Sequence, residues 1–289
     1  VVSPRRQGGW KPALAAGCLF LVGTTAQAMS CGEKAADATR IAVAGGSLTE
    51  ILYELGEEQR IVAVDRTATY PDAARGLPQI GYVRDLSAEG ILSLAPTLVL
   101  GEHDMGPPEV VAQLESLGVD MLIVPESFDA AGVAKKIRCV AAAVGNPAAG
   151  ETLVASTLAP LSKNAAAEAR GVVLLGVRGG APLAAGSNTS GHGLLTVAGL
   201  DNAMRDIDGW KGVSEEAMLL AAPDFIVITQ RGLDDAGGMQ ALLAHPALRL
   251  TPAAQNRRII VMDGMAMLGF GPRTLATAAA LRAELEAAR

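Results

Sequence analysis

Short apolar runs bounded by polar turns alternate along this chain with stretches in which apolar residues recur every three to four positions. Residues 40–44 read as a strand ending on the Gly45-Gly46 pair. Ser47, with Glu50 three positions on, then has the pattern of a capping box opening a helix that closes on Gly56. Further strands are predicted at 61–65, 97–100 and 120–125, alternating with helices at 87–94, 107–117 and 133–144. This is the βα rhythm of a mainly parallel sheet covered on both faces. The rhythm then restarts, with a strand at 171–177, a helix near 193–200, a helix-strand unit at 214–229, a helix at 239–243, a strand at 258–262 and a terminal helix at 272–288.

The two series echo each other. Ser87-Ala-Glu89, an apolar turn and Ala95-Pro96 line up with Ser214-Glu-Glu216, an apolar turn and Ala222-Pro223. Each unit offers a serine N-cap, a glutamate in the first helical turn, a proline stop and a strand. Between the series, Leu153, Val154, Leu158 and Leu161 fall at helical spacing, although Pro160 should kink or break a helix there. The expected class is therefore α/β, with two Rossmann-like lobes of mainly parallel sheet joined by one long helix. The lobes are placed at 38–147 and 169–289, with the linking helix at 148–168.

Charge and composition narrow the function. Half the residues are hydrophobic, but only 3% are aromatic, so aliphatic side chains must fill the core. A net charge of −6 with a pI near 5.2 offers no basic face for nucleic acid. Residues 1–28 carry Arg5, Arg6 and Lys11 and no acid, then an apolar run and Ala26-Gln27-Ala28, the pattern of an export signal peptide. Its removal leaves the rest of the chain more acidic by three charges. The apolar run is shorter than the ~20 residues that cross a bilayer. The expectation is a periplasmic protein, with lipid attachment at Cys18 or Cys31 a minor alternative. Cys31 and Cys139 lack CxxC spacing and indicate neither a zinc site nor a disulfide framework, so Cys139 is expected to be a small core residue.

The residue with the most chemistry is Tyr70, in Ile61-Val-Ala-Val-Asp65-Arg66-Thr67-Ala-Thr69-Tyr70-Pro71. A phenol on a polar loop after a buried strand is a hard oxygen ligand once deprotonated, and haem iron can be held that way. Its ordinary pKa near ~10 means that ferric iron or a cation must favour the phenolate at neutral pH. Together with Gly81-Tyr82-Val-Arg84, Ser87-Ala-Glu89-Gly90 and Ala95-Pro96, this segment resembles the haem-binding branch of the class III periplasmic binding proteins of ABC importers. The resemblance covers roughly residues 38–289. It implies a ligand cleft between the lobes, Tyr70 as the ferric iron ligand, and no catalysis.

The same resemblance assigns the remaining candidates. Arg66 and Arg84 flank Tyr70, Arg231 matches a propionate-binding arginine, and Arg178 stands where some members place a second-lobe contact; arginine suits the two haem propionates. Tyr82 is expected to wall the cleft, and His192 to be a second iron ligand, a hydrogen-bond partner or a plain loop residue. Some members carry a basic residue two positions after the tyrosine, where this chain has Asp72. His103 and His245 read as surface residues, and three scattered histidines argue against a metal cage. Glu89 and Glu216, one per lobe, are ordinary first-turn residues by local reading. By resemblance they dock into basic pockets of the permease.

The expected function is that of a monomeric periplasmic protein that captures ferric haem and delivers it to an ABC importer permease. A cobalamin or ferric-siderophore carrier of the same transporter class is the nearer alternative. Cleft aromatics would favour cobalamin, but Trp210 is the only tryptophan after the leader. A haem-modifying enzyme would need an acid, base or reductant site, and no such constellation stands out.

Overall fold

A computed structural model describes residues 29–163, 169–178 and 180–287, so the predicted leader at 1–28 lies outside the described residues. The first lobe runs β1 (Ile41–Ala44), α1 (Gly46–Glu54), β2 (Ile61–Val64), β3 (Gly81–Tyr82), β4 (Asp85–Leu86), α2 (Ala88–Leu92), β5 (Leu98–Glu102), α3 (Pro108–Ser116), β6 (Asp120–Val124) and α4 (Ala130–Ala143). Strands β2-β1-β5-β6 form one sheet with every pairing parallel, so all their carboxyl ends lie along a single edge. Strands of this sheet are buried almost throughout, as a sheet covered on both faces requires.

After α5 (Pro147–Leu158), the second lobe continues with β7 (Arg170–Arg178), β8 (Ala181–Ala185), α6 (Ser190–Val197), β9 (Asp201–Asn202), β10 (Trp210–Gly212), α7 (Glu215–Ala221) and β11 (Phe225–Thr229). It closes with α8 (Gln230–Asp235), α9 (Met239–Ala244), α10 (Pro252–Gln255), β12 (Ile259–Met262), α11 (Gly264–Leu268) and α12 (Pro272–Ala287). Its sheet has the order β10-β8-β7-β11-β12. The β7, β11 and β12 pairings are parallel, whereas β8 and β10 add an antiparallel edge that the periodicity did not reveal. The chain has the α/β two-lobe architecture.

Three local expectations change. The linker is helical from Pro147 to Leu158 and tightens into a 3₁₀ turn over Ala159–Lys163, where Pro160 lacks the N–H an α-helix needs; residues 164–168 fall outside the described residues. Ser47 and Glu50 form no capping box, because Gly45 occupies the N-cap of α1 without a side-chain bond and both side chains have partners elsewhere. Cys31 and Cys139 form a disulfide across 108 residues, tying the segment before β1 to α4.

The serine caps of the echo are present: Ser87 accepts from the Gly90 N–H and Ser214 from the Ala217 N–H. Both units then turn through a left-handed alanine, Ala95 at φ 44° and Ala222 at φ 42°. The lobes are joined by more than the linker. Phe270 and Leu275, around the start of α12, belong to the first-lobe core, whereas Ala278, Leu281 and Leu285 on the same helix belong to the second.

Candidate functional site

The carboxyl ends of the parallel strands are where an α/β sheet places its ligand. Here they face a cleft between the lobes. Arg84, Glu102, His103, Asp104, Glu126 and Phe128 line it from the first lobe. Asn188, Thr189, Ser190, Trp210, Leu268 and Gly269 line it from the second lobe or the connection to α12. It encloses about 250 Å³, less than the ~300–1,000 Å³ usual for small-molecule sites. A large flat ligand must therefore extend beyond this space to the rim. A larger recess of about 600 Å³, lined by Arg257, Ile259 and Glu284 among others, lies at the amino end of β12, the opposite end from that expected for a site.

The loop carrying Tyr70 is built on Asp65, which is fully buried at the end of β2. Its carboxylate accepts from the Gly45 N–H at 3.0 Å, the Thr67 hydroxyl at 2.7 Å and N–H at 3.0 Å, and the Val83 N–H at 3.1 Å. Burial pushes the Asp65 carboxyl up, and these bonds oppose it. Thr67 in turn accepts from the Gly46 N–H at 2.8 Å. One carboxylate thus fixes the start of α1, the tyrosine loop and the β3–β4 hairpin. The signal for it was present in the sequence: an aspartate closing a strand two residues before a threonine is a side-chain turn pattern.

Tyr70 stands on this loop with 42% of its surface exposed. Among the described residues its hydroxyl has no hydrogen-bond partner. Over its ring lies the guanidinium of Arg273, 3.9 Å from the centroid. Arg273, at the start of α12, is held by Glu50 of α1 through two bonds of 2.5 and 3.1 Å, and lies 3.3 Å from Asp263. Burial pushes the Glu50 carboxyl up, with Arg273 opposing. Sequence reading missed Arg273 because it lies about two hundred residues from Tyr70 in a run that reads as ordinary helix.

The other candidates are distributed unevenly. Tyr82 is half-buried, its hydroxyl accepts from Arg84 at 2.7 Å, and Arg66 lies 6.0 Å from its ring centroid. Arg84 lines the cleft but is already paired with Asp104. Arg231 lies in the first turn of α8 rather than in a loop, 89% exposed and 3.7 Å from Asp235. His192 is half-buried with Nδ1 3.2 Å from the Asn202 amide, so its ring meets β9 and is not part of the cleft lining. Arg178 ends β7, at the carboxyl edge of the sheet. His103, expected at an ordinary surface, lines the cleft and meets Phe128 edge-on at 6.5 Å. Glu89 and Glu216 are exposed on α2 and α7. Glu216 is held below the usual carboxylate range by its own backbone N–H and by Ser214.

The floor of the cleft holds a buried charged group. The Lys136 ammonium, 1% exposed, bonds Glu126 at 2.6 Å, the Ser47 hydroxyl at 3.1 Å and the Gly269 carbonyl at 3.2 Å. Ser47 donates to Glu102 at 2.6 Å. Burial pushes Glu102 up to about 7, with Lys136 and Ser47 opposing. Gly45, at φ 148°, leaves no room for a Cβ beside Glu102. No group of three or more histidine, cysteine, aspartate or glutamate side chains that could hold a metal ion occurs among the described residues.

Comparison with known proteins agrees with this architecture. Residues 41–266 match the family model described as periplasmic binding protein. The apo periplasmic heme-binding protein RhuT from Roseiflexus sp. RS-1 superposes with a TM-score of 0.82 at 38% identity, covering 88% of this chain and all of that one. The periplasmic heme-binding protein BhuT in complex with two hemes gives 0.80 at 38% identity over 86% and 98%. An uncharacterized ABC transporter substrate-binding lipoprotein, YvrC of Bacillus subtilis (strain 168), is 26% identical over 79% of this chain and 74% of its own length. The vitamin B12-binding protein of Yersinia pestis (strain Pestoides F) matches over only 82 residues, 28% of this chain and 29% of its own, at 32% identity.

Proposed function

Because the chain belongs to the periplasmic binding protein family, we propose that it captures ferric haem in the interlobe cleft and delivers it to an ABC importer. The observation that carries this reading is Tyr70: a half-exposed phenol on a rigidly anchored loop, its hydroxyl unclaimed and a cation on its ring face. Its oxygen holds the ferric iron as tyrosinate. Likeness over nearly the whole chain to two heme-binding proteins of known structure supports haem as the cargo.

The enclosed space of about 250 Å³ is too small for a haem, which leaves the propionates at the rim. Arg66, Arg178 and Arg231 are the candidate partners there. Arg84 joins them only by exchanging Asp104 for a propionate. Residues 1–28 direct export to the periplasm, and Glu89 and Glu216 present the loaded protein to the permease. Near Glu216, Leu219 and Leu220 are exposed on α7, the latter by 85%, and add apolar surface to that docking face.

The test is an absorption titration of the exported form with ferric haem, beside Tyr70→Phe. Saturable binding with a tyrosinate-type spectrum that the variant loses is the expected result. No saturable binding by wild type overturns the haem reading and turns attention to cobalamin. Trp210 in the cleft and the short stretch shared with the vitamin B12-binding protein favour that second reading.

A further inference from the structure

We propose that Arg273 is the positioning residue of the iron ligand: it holds the Tyr70 ring between the lobes and sets the donor strength of its oxygen. This rests on the assignment of Tyr70 as ligand. Three geometric facts support it. The guanidinium carbon lies 3.9 Å from the ring centroid, well inside the ~6 Å reach of a cation–π contact. The guanidinium is itself fixed by the double bond to Glu50, whose side chain is only 3% exposed, and by Asp263. Finally, the elements concerned come from both lobes: Tyr70 and Glu50 from the first, Asp263 after β12, and Arg273 from the helix that packs on both cores.

An ion pair between α1 and α12 alone would need no tyrosine. Glu50 and Asp263 would satisfy Arg273 with the ring absent. The cation instead also sits over the ring, 3.9 Å from its centroid. Asp72 and Arg75 of the following turn pair with each other at 3.4 Å, whereas Arg273 lies over the Tyr70 ring itself. Arg273 is therefore the cation that acts on the phenol. A positive charge over a phenolate lowers the energy of its donor electrons, which weakens donation to ferric iron and raises the tyrosinate-to-iron charge-transfer energy. Glu50, bonded to the guanidinium, moderates that field.

The two residues should thus act in opposite directions on the same spectrum. In the apo protein labelled at its three tyrosines, Arg273→Met shifts the Tyr70 ring signals and leaves those of Tyr53 and Tyr82 in place. In the haem-loaded protein, Arg273→Met moves the charge-transfer band to lower energy; loss of the fixed ring position and of the phenolate's counter-charge outweighs the stronger donation and weakens haem binding by roughly three- to thirty-fold. Glu50→Gln moves the band to higher energy, and Arg273→Lys, which keeps the charge but not the double bond to Glu50, falls between wild type and Arg273→Met. Bands that do not move, or that move the same way in Arg273→Met and Glu50→Gln, overturn the proposal, as does an unchanged Tyr70 signal in apo Arg273→Met. If wild type binds no ferric haem, the ligand assignment fails and the tuning role with it. The apo spectrum still shows separately whether Arg273 holds the ring.

Discussion

Glu102 ends β5 with its carboxyl on Ser47 and in the field of Lys136, and burial raises it from 4.5 to about 7. A carboxyl raised on folding keeps its proton more readily in the folded state. The stability this represents is complete below the unfolded carboxylate range and is lost as pH rises from about 4.5 through about 7. Glu102→Gln retains an acceptor for Ser47 but cannot ionise. It is expected to match wild type in urea unfolding at pH 4 and to exceed it by roughly 1–3 kcal/mol at pH 8. Equal stability at pH 8 would mean that the charged carboxylate is fully compensated by Lys136. Ser47 and Glu50 show why such residues mislead a local reading. Their spacing is that of a capping box, yet their partners, Glu102 and Arg273, are brought up by other elements. Tyr70 was legible because its loop follows a clear strand, whereas Arg273, which covers it, was not.

At the scale of elements, the strands and helices of the first lobe follow their hydrophobic periods closely, because a parallel sheet buried on both faces leaves long uninterrupted apolar runs. The repeated unit was readable down to its caps. The edge strands β8 and β10 were not, since short antiparallel edge strands carry little periodic signal. The disulfide is an element-scale correction: nothing in the spacing of Cys31 and Cys139 indicates pairing. The one clue was the export signal, which places an even pair of cysteines in an oxidising compartment. Closing a loop this long restricts the unfolded chain. Reduction, or replacement of both cysteines by alanine, is therefore expected to lower stability by about 2–5 kcal/mol. The shift in the urea midpoint, with and without reductant, measures it, and no shift would show that the bond is dispensable.

Over the whole molecule, the linker, the shared packing of α12, the Glu50–Arg273 pair and Lys136 reaching the Gly269 carbonyl all connect the lobes. Gly193 on α6 lets the lobes approach, since a Cβ there would meet the Phe128 carbonyl and the Phe270 ring. Such a joint favours small lobe movements around the anchored tyrosine loop. Delivery should then depend on the docking faces independently of capture. Glu89→Lys combined with Glu216→Lys is expected to leave the haem titration unchanged while abolishing haem-dependent growth of host cells that carry only this copy. Retained growth would remove these glutamates from the permease interface.

The chain by itself determined the βα rhythm, the two related lobes, the tyrosine loop and the pair of exposed glutamates, because each rests on local periodicity, capping or turn chemistry within a few residues. Only the tertiary structure decided that Cys31 meets Cys139 and which partners the buried charges find: Asp65 with Gly45 and Val83, Lys136 with Glu126 and Gly269, and Arg273 with Glu50 and the Tyr70 ring. The physical reason is that a buried charge needs partners close enough to replace water. Those partners arrive from wherever the chain folds back, at separations that no local pattern records.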